Sequence, residues 1–181
     1  MKKSFLSIAA IGALAATALA PMSANAYDGT ITFNGSLSAQ TCTINGNGTS
    51  AKNFTVSLPT VSTSSLGSAS STAGRTPFNI SLSSCTPGTG NVATYFEPGN
   101  TDTSNGNLLV NSGGAGNVEI QLLNNDGSAI KAGFAKDSQN SKAVALDSGA
   151  ATLSYFAQYF ATGATTPGAA VSQVNYTITY P

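Results

Sequence analysis

Histidine is absent from all 181 residues, and with it the commonest general base and the usual partner of a nucleophile. Glu97 and Asp102 could be imagined as a carboxylate pair. They flank the Pro98-Gly99-Asn100 turn, however, where solvated loop charges are the rule. Lys131, Lys136 and Lys142 do not make a basic patch, because Asp126, Asp137 and Asp147 are interleaved with them. Gly113-Gly114-Ala115-Gly116 lacks the strand, spacing and lysine of a phosphate-binding loop and is expected to be a flexible turn. Without histidine or a CxxC pair there is no metal-ligand pattern, and no cofactor is expected. These residues exclude more chemistry than they support, and an enzyme is not expected.

The remaining reactive groups are two thiols, Cys42 and Cys85. Their fate depends on compartment, and the N-terminus addresses that. Lys2 and Lys3 precede an apolar run from Phe5 to Ala20 and a small-residue site, Ala24-Asn25-Ala26. This is the pattern of a secretory signal peptide over residues 1–26, cleaved after Ala26. A membrane anchor is the competing reading, but the run is shorter than the roughly twenty residues a span needs. In an exported chain with no third thiol, Cys42 and Cys85 are expected to pair. The bridge would close a loop of about 42 residues, worth roughly 4 kcal/mol in the chain-entropy account. Two reduced core cysteines are the alternative.

Beyond the leader, five basic and seven acidic side chains leave a net charge of −2, so there is no electrostatic footprint for nucleic acid. Only 8% of all residues are charged, against about 25% in ordinary domains. Solubility must come from Ser, Thr, Asn and Gly, a surface suited to a protein buried among copies of itself. The mature length fits one domain with one core.

The elements that would carry these residues are strands. No stretch of the mature chain keeps a helical period, and short β-rich runs recur between turn signals, as in an all-β sandwich. In Thr30 to Ala39, the residues Ile31, Phe33, Leu37 and Ala39 share one parity, with Gly35 among them. Thr41 to Ile44 and Phe54 to Leu58 are the next expected strands, followed by a Ser/Thr/Gly-rich connection from Ser62 to Thr76 with room for one helical turn. Phe78, Ile80 and Leu82 alternate with Asn79, Ser81 and Ser83 and lead into Cys85, which predicts a core strand. Val92 to Phe96 is another. Val118, Ile120 and Leu122 alternate up to an Asn125-Asp126-Gly127 turn, and Leu153, Tyr155, Ala157 and Tyr159 form a further set. Pro98 to Gly116 and Lys131 to Ala151 are expected to be polar loops or short edge strands. There is no second domain and no internal repeat.

The last fourteen residues are the most informative. Gly168 leads into alternating Val174, Tyr176, Ile178 and Tyr180, with Asn175, Thr177 and Thr179 facing the other way. A glycine fourteenth from the end and a tyrosine second from it resemble the terminal strand of pilins assembled by the chaperone-usher pathway. The cysteine positions and the stretch from Tyr155-Phe156-Ala157-Gln158-Tyr159-Phe160 through Thr166-Pro167-Gly168-Ala169-Ala170 are similar to those of a type 1-like major fimbrial subunit. The resemblance covers essentially the whole mature chain.

That resemblance implies an incomplete immunoglobulin-like β-sandwich, residues 42–181, that lacks its seventh strand and has a hydrophobic groove beside its C-terminal strand. It also implies that residues 27–41 are an N-terminal extension serving as donor strand for the neighbouring subunit. Ile31, Phe33, Leu37 and Ala39 would fill that subunit's groove, with Gly35 where the family has a glycine facing a shallow part. Val174, Tyr176, Ile178 and Tyr180 would line the groove in the acceptor. The implied partners are identical or homologous pilin subunits in a head-to-tail polymer, a periplasmic pilus chaperone and an outer-membrane usher. The implied function is a structural subunit of the fimbrial shaft at the cell surface, supporting adhesion. Only Tyr27, Asp28 and Gly29 precede the donor run. An extension this short leaves open a minor or adaptor pilin. A tip carbohydrate-binding module is a second alternative, disfavoured by the absence of tryptophan.

Overall fold

The computed structural model describes residues 28–35, 37 and 39–181, so the expected leader lies outside the described residues. The chain divides after Ser36. In the first unit, residues 28–35 carry no strand, and Ile31 and Phe33 are exposed. The second unit holds every strand among the described residues.

The strands are β1 (Thr41–Gly46), β2 (Thr72–Thr86), β3 (Asn91–Phe96), β4 (Leu108–Leu109), β5 (Val118–Asn124), β6 (Ala129–Ile130), β7 (Val144–Ala145), β8 (Ala151–Ala161) and β9 (Tyr176–Thr179). One sheet has the order β1-β2-β8-β5-β4, with β6 also paired to β5; the other has the order β7-β3-β9. Every pairing is antiparallel.

Register explains why the alternating runs find each other. Phe78 stands opposite Tyr155 and Ile80 opposite Leu153, while Ile120 stands opposite Tyr159 and Leu122 opposite Ala157. One face of β2, β8 and β5 is therefore apolar throughout, and a one-residue slip would turn it to solvent. Val92, Phe96 and Ile178 of the second sheet complete the core. Between the sheets the Tyr155 hydroxyl donates to Thr94 Oγ1 at 2.9 Å, so a buried phenol is satisfied across the core. On the outer face, Arg75 Nε donates to Gln158 Oε1 at 2.9 Å and Gln158 Nε2 to Gln121 Oε1 at 2.8 Å.

A disulfide joins Cys42 on β1 to Cys85 near the end of β2, as the thiols of an exported chain were expected to do. The Ser62–Thr76 connection contains its single turn, a 3₁₀ helix at Thr63–Leu66 whose first turn is capped by the Ser62 side chain. It ends sooner than the low-complexity composition suggests, because β2 begins at Thr72. Pairing with Phe160 and Tyr159 of β8 overrides the weak local preference of Thr72 and Ala73.

Two expectations fail. Phe54–Leu58 pairs with no strand among the described residues, although Phe54, Val56 and Leu58 are half-buried against the core. The glycine-rich segment 113–116 is not simply a flexible turn: the Ala115 amide donates to the Ala169 carbonyl at 2.8 Å and the Asn111 amide to the Val171 carbonyl at 2.8 Å. Its glycines let two backbones approach. A Cβ on Gly168 would stand 2.6 Å from the Ala115 nitrogen, closer than real side chains come.

Candidate functional site

The carboxylates weighed first as a catalytic pair have separate structural employments. Glu97 Oε1 accepts from the Thr177 hydroxyl of β9 at 2.7 Å. Asp102 Oδ1 accepts from the hydroxyl and the amide of Ser104 at 2.6 and 2.7 Å, and these bonds hold its carboxyl below the usual carboxylate range. Lys142 pairs with Asp126, which lowers the Asp126 carboxyl strongly. Among the described residues no group of three or more His, Cys, Asp or Glu is placed to hold a metal ion.

Glu119 was not among the candidate residues, yet this carboxylate on β5 is only 4% exposed. Its Oε2 accepts from Asn105 Nδ2 at 3.0 Å and Asn107 Nδ2 at 2.9 Å, so it pins the 102–107 loop to the sheet. A buried carboxyl group of this kind persists because hydrogen bonds satisfy its oxygen. Gln139 was likewise missed. Fully buried, it accepts from the Phe96 amide at 2.7 Å and donates to the Phe96 carbonyl at 2.9 Å, the two bonds a neighbouring strand would make. Glu119 occupies an off-parity position of the Val118-Ile120-Leu122 run, where a polar residue is expected to face solvent, and Gln139 lies on no alternating run.

The feature with functional form is an open edge. β9 pairs with β3 through Tyr176–Phe96, Thr177–Tyr95, Ile178–Thr94 and Thr179–Ala93. Among the described residues β9 has no second strand neighbour. Residues 54–58 likewise have no ladder partner. Phe54, Val56 and Leu58, together with Val174, Tyr176 and Tyr180, are half-buried against the main core, and Ile178 is buried in it. The Phe54 and Tyr176 rings stand 6.2 Å apart, and Phe54 and Phe78 are also 6.2 Å apart. Two extended segments thus share a layer of apolar side chains without sharing backbone hydrogen bonds. Of the C-terminal residues singled out from sequence, the structure brings Val174, Tyr176, Ile178 and Tyr180 together on this core; Gly168 precedes β9 and packs instead against Ala115. The N-terminal set is exposed where it is large: Ile31 at 78%, Phe33 at 89% and Leu37 at 103%.

Comparison with known proteins places this architecture. The sequence model of the family described as type-1 fimbrial protein A matches residues 58–181. The major fimbrial subunit SMF-1 of Stenotrophomonas maltophilia (strain K279a) is 51% identical over 171 residues, covering 90% of this chain and 98% of that protein. The F17 fimbrial protein of Escherichia coli is 52% identical over 162 residues, covering 86% and 88%. Among solved structures, a Burkholderia pseudomallei antigen and type I fimbria protein superposes with a TM-score of 0.57 at 28% identity, covering 78% of this chain and 99% of that one. With its two all-β sheets and a family match across most of its length, the chain belongs to the type-1 fimbrial protein A family, as a structural subunit of a surface fimbria.

Proposed function

We propose that this fimbrial subunit polymerises by lending residues 27–41 to the sandwich of the next copy, whose globular part is residues 42–181. The observation that carries this is the unpartnered pair of edges, 54–58 and β9, lying over one shared apolar layer. The same chain carries an alternating segment whose large apolar side chains are exposed. A strand laid between the edges would give both a ladder partner. Ile31, Phe33, Leu37 and Ala39 would descend into the apolar layer while Thr32 and Asn34 face outward. Burial of Ile31, Phe33 and Leu37 at roughly 1.5 to 3 kcal/mol each favours the joint before ordering costs are counted.

Donor and groove are different parts of one chain, so the contact is head to tail and propagates into a fibre. Before assembly the open edge is an aggregation hazard. A periplasmic chaperone that lends a strand and an outer-membrane usher that exchanges it for the next subunit's extension answer that hazard, and both require transit through the periplasm. The role is architectural, with no catalysis: Glu97, Asp102 and Glu119 are each held in local hydrogen bonds.

The test is a mature chain with residues 28–40 repeated after Pro181 through a short flexible linker. It should fill its own groove, elute as a monomer and melt well above the unmodified subunit. Continued polymerisation with no gain in thermal midpoint would overturn the reading.

A further inference from the structure

Four Asn-Gly steps occur in the chain, at 34–35, 45–46, 47–48 and 105–106. At such a step the main-chain nitrogen of the glycine can attack the side-chain carbonyl carbon of the asparagine, because no Cβ stands in the way. A carbon–nitrogen bond forms, ammonia leaves, and water opens the resulting succinimide to aspartate or to isoaspartate. In isoaspartate the main chain runs through the former side chain. The attack needs an unengaged glycine nitrogen and an asparagine that is free to turn.

The fold withholds those conditions from three of the four steps. The Gly46 amide donates to the Ala51 carbonyl at 2.8 Å, and the Phe54 ring stands where a Cβ on Gly46 would be. The Gly106 amide donates to the Asp102 carbonyl at 2.8 Å. Its neighbour Asn105 is held at both side-chain atoms, Nδ2 donating to Glu119 Oε2 at 3.0 Å and Oδ1 accepting from the Asn107 amide at 2.7 Å. Asn47 and Gly48 are exposed, yet both have positive φ in a turn closed by the Thr49 amide on the Gly46 carbonyl at 2.9 Å. The Asn47 amide is also tied to the Asn79 carbonyl at 2.7 Å. Asn34 and Gly35 differ: both are exposed, they lie in no strand, and nothing stands within 4 Å of a Cβ placed on Gly35.

We propose that Asn34-Gly35 is a self-modification site that retires unassembled subunits: in the free extension Asn34 converts to isoaspartate, and the altered extension can no longer be lent. The loss of lending rests on the strand-lending function proposed above. A strand seated between two edges has its amides in ladders, so assembly engages the Gly35 nitrogen and stops the reaction. Isoaspartate lengthens the main chain by one carbon between residues 34 and 35. Ile31 and Phe33 then lose the common spacing with Leu37 and Ala39 on which a single apolar strand face depends. Plain aspartate leaves the main chain unchanged and puts its charge on the outward side, where Asn34 faces.

The experiment ages dilute, refolded, disulfide-bonded mature subunit beside fibres grown from it, in mildly alkaline buffer, and maps both by peptide mass spectrometry. Isoaspartate should accumulate at residue 34 of the free subunit ahead of residues 45, 47 and 105, and stay low at residue 34 in fibres. Earlier conversion at residue 47, or equal conversion at residue 34 in subunit and fibre, overturns the site. In a second arm, fresh subunit is offered labelled peptides of residues 28–40 carrying asparagine, aspartate or isoaspartate at position 34. The first two should be captured and capture of the third should be lost. Capture of the isoaspartate peptide as fast as the asparagine one overturns retirement while leaving strand lending intact. Capture of none of the three overturns strand lending, and retirement with it. Asn34→Ser removes the reacting amide and should keep its competence to polymerise through the same ageing; loss of competence at the unmodified rate also overturns retirement.

Discussion

Phe54 and Tyr176 bring their ring centroids to 6.2 Å across a boundary that no backbone-to-backbone hydrogen bond crosses among the described residues. In a finished sandwich, packing and laddering close together, because each strand presents side chains to the core and its amides to a neighbour. Here the packing is largely made and the laddering is not. That mismatch separates this fold from a self-sufficient β-sandwich.

Phe33→Asp tests where the extension acts. Phe33 is 89% exposed, so the subunit should fold with a stability change within about 0.5 kcal/mol. A carboxylate pressed into a neighbour's apolar layer would cost several kcal/mol, so fibres should be absent by electron microscopy. Normal fibres from this variant would refute the donor role, and loss of the folded monomer would place Phe33 in its own core.

Cys42→Ser tests the bridge, whose cysteines are 43 residues apart in sequence. The variant should lose roughly 4 kcal/mol on the chain-entropy account, read as a lower midpoint in guanidinium unfolding. The mass of the unreduced mature chain should be two hydrogens below the sequence value, and free thiols would contradict the bridge.

Gly168→Val tests the close approach to Ala115. The added Cβ would meet the Ala115 nitrogen at 2.6 Å and its Cα at 2.9 Å, a clash worth about 1 to 3 kcal/mol and about 2 to 4 °C in thermal midpoint per kcal/mol. Gly99→Ala, where nothing lies within 4 Å of the new carbon, is the control and should change little.

Alkaline unfolding tests the inter-sheet phenol. Burial pushes the Tyr155 phenol up, only partly opposed by its bond to Thr94. Above the unfolded tyrosine value of about 10 the unfolded chain releases this proton while the folded chain keeps it, so stability falls as pH rises. The loss approaches about 1.4 kcal/mol per pH unit for one proton. Tyr155→Phe should flatten the stability profile above pH 10 by about that slope, as followed by urea titrations at successive pH values.

Much of this protein was legible in its residues because a strand announces itself locally. Phe78-Ile80-Leu82, Val118-Ile120-Leu122 and Leu153-Tyr155-Ala157 alternate at the period of a pleated strand, and each lies in the core strand it predicted. The terminal run Val174 to Tyr180 was readable for the same reason. Pairing is not a local property. Phe54-Val56-Leu58 alternates equally well, yet it has no ladder partner, because having a neighbour depends on how distant segments are arranged. The same holds for the segments around Ala115 and Gly168: sequence marked both as glycine-bearing, but only the tertiary fold brings them into contact. Period marks Glu119 as a solvent-facing position of its strand and says nothing of Gln139, yet both are buried. Their roles come from buried backbone and amide groups that demand partners, and only the folded chain creates that demand. Sequence thus determined which segments could be strands and which faces were apolar, since both follow from side-chain period; tertiary structure alone decided which edges were left open, because an edge is defined by the strand that is not there.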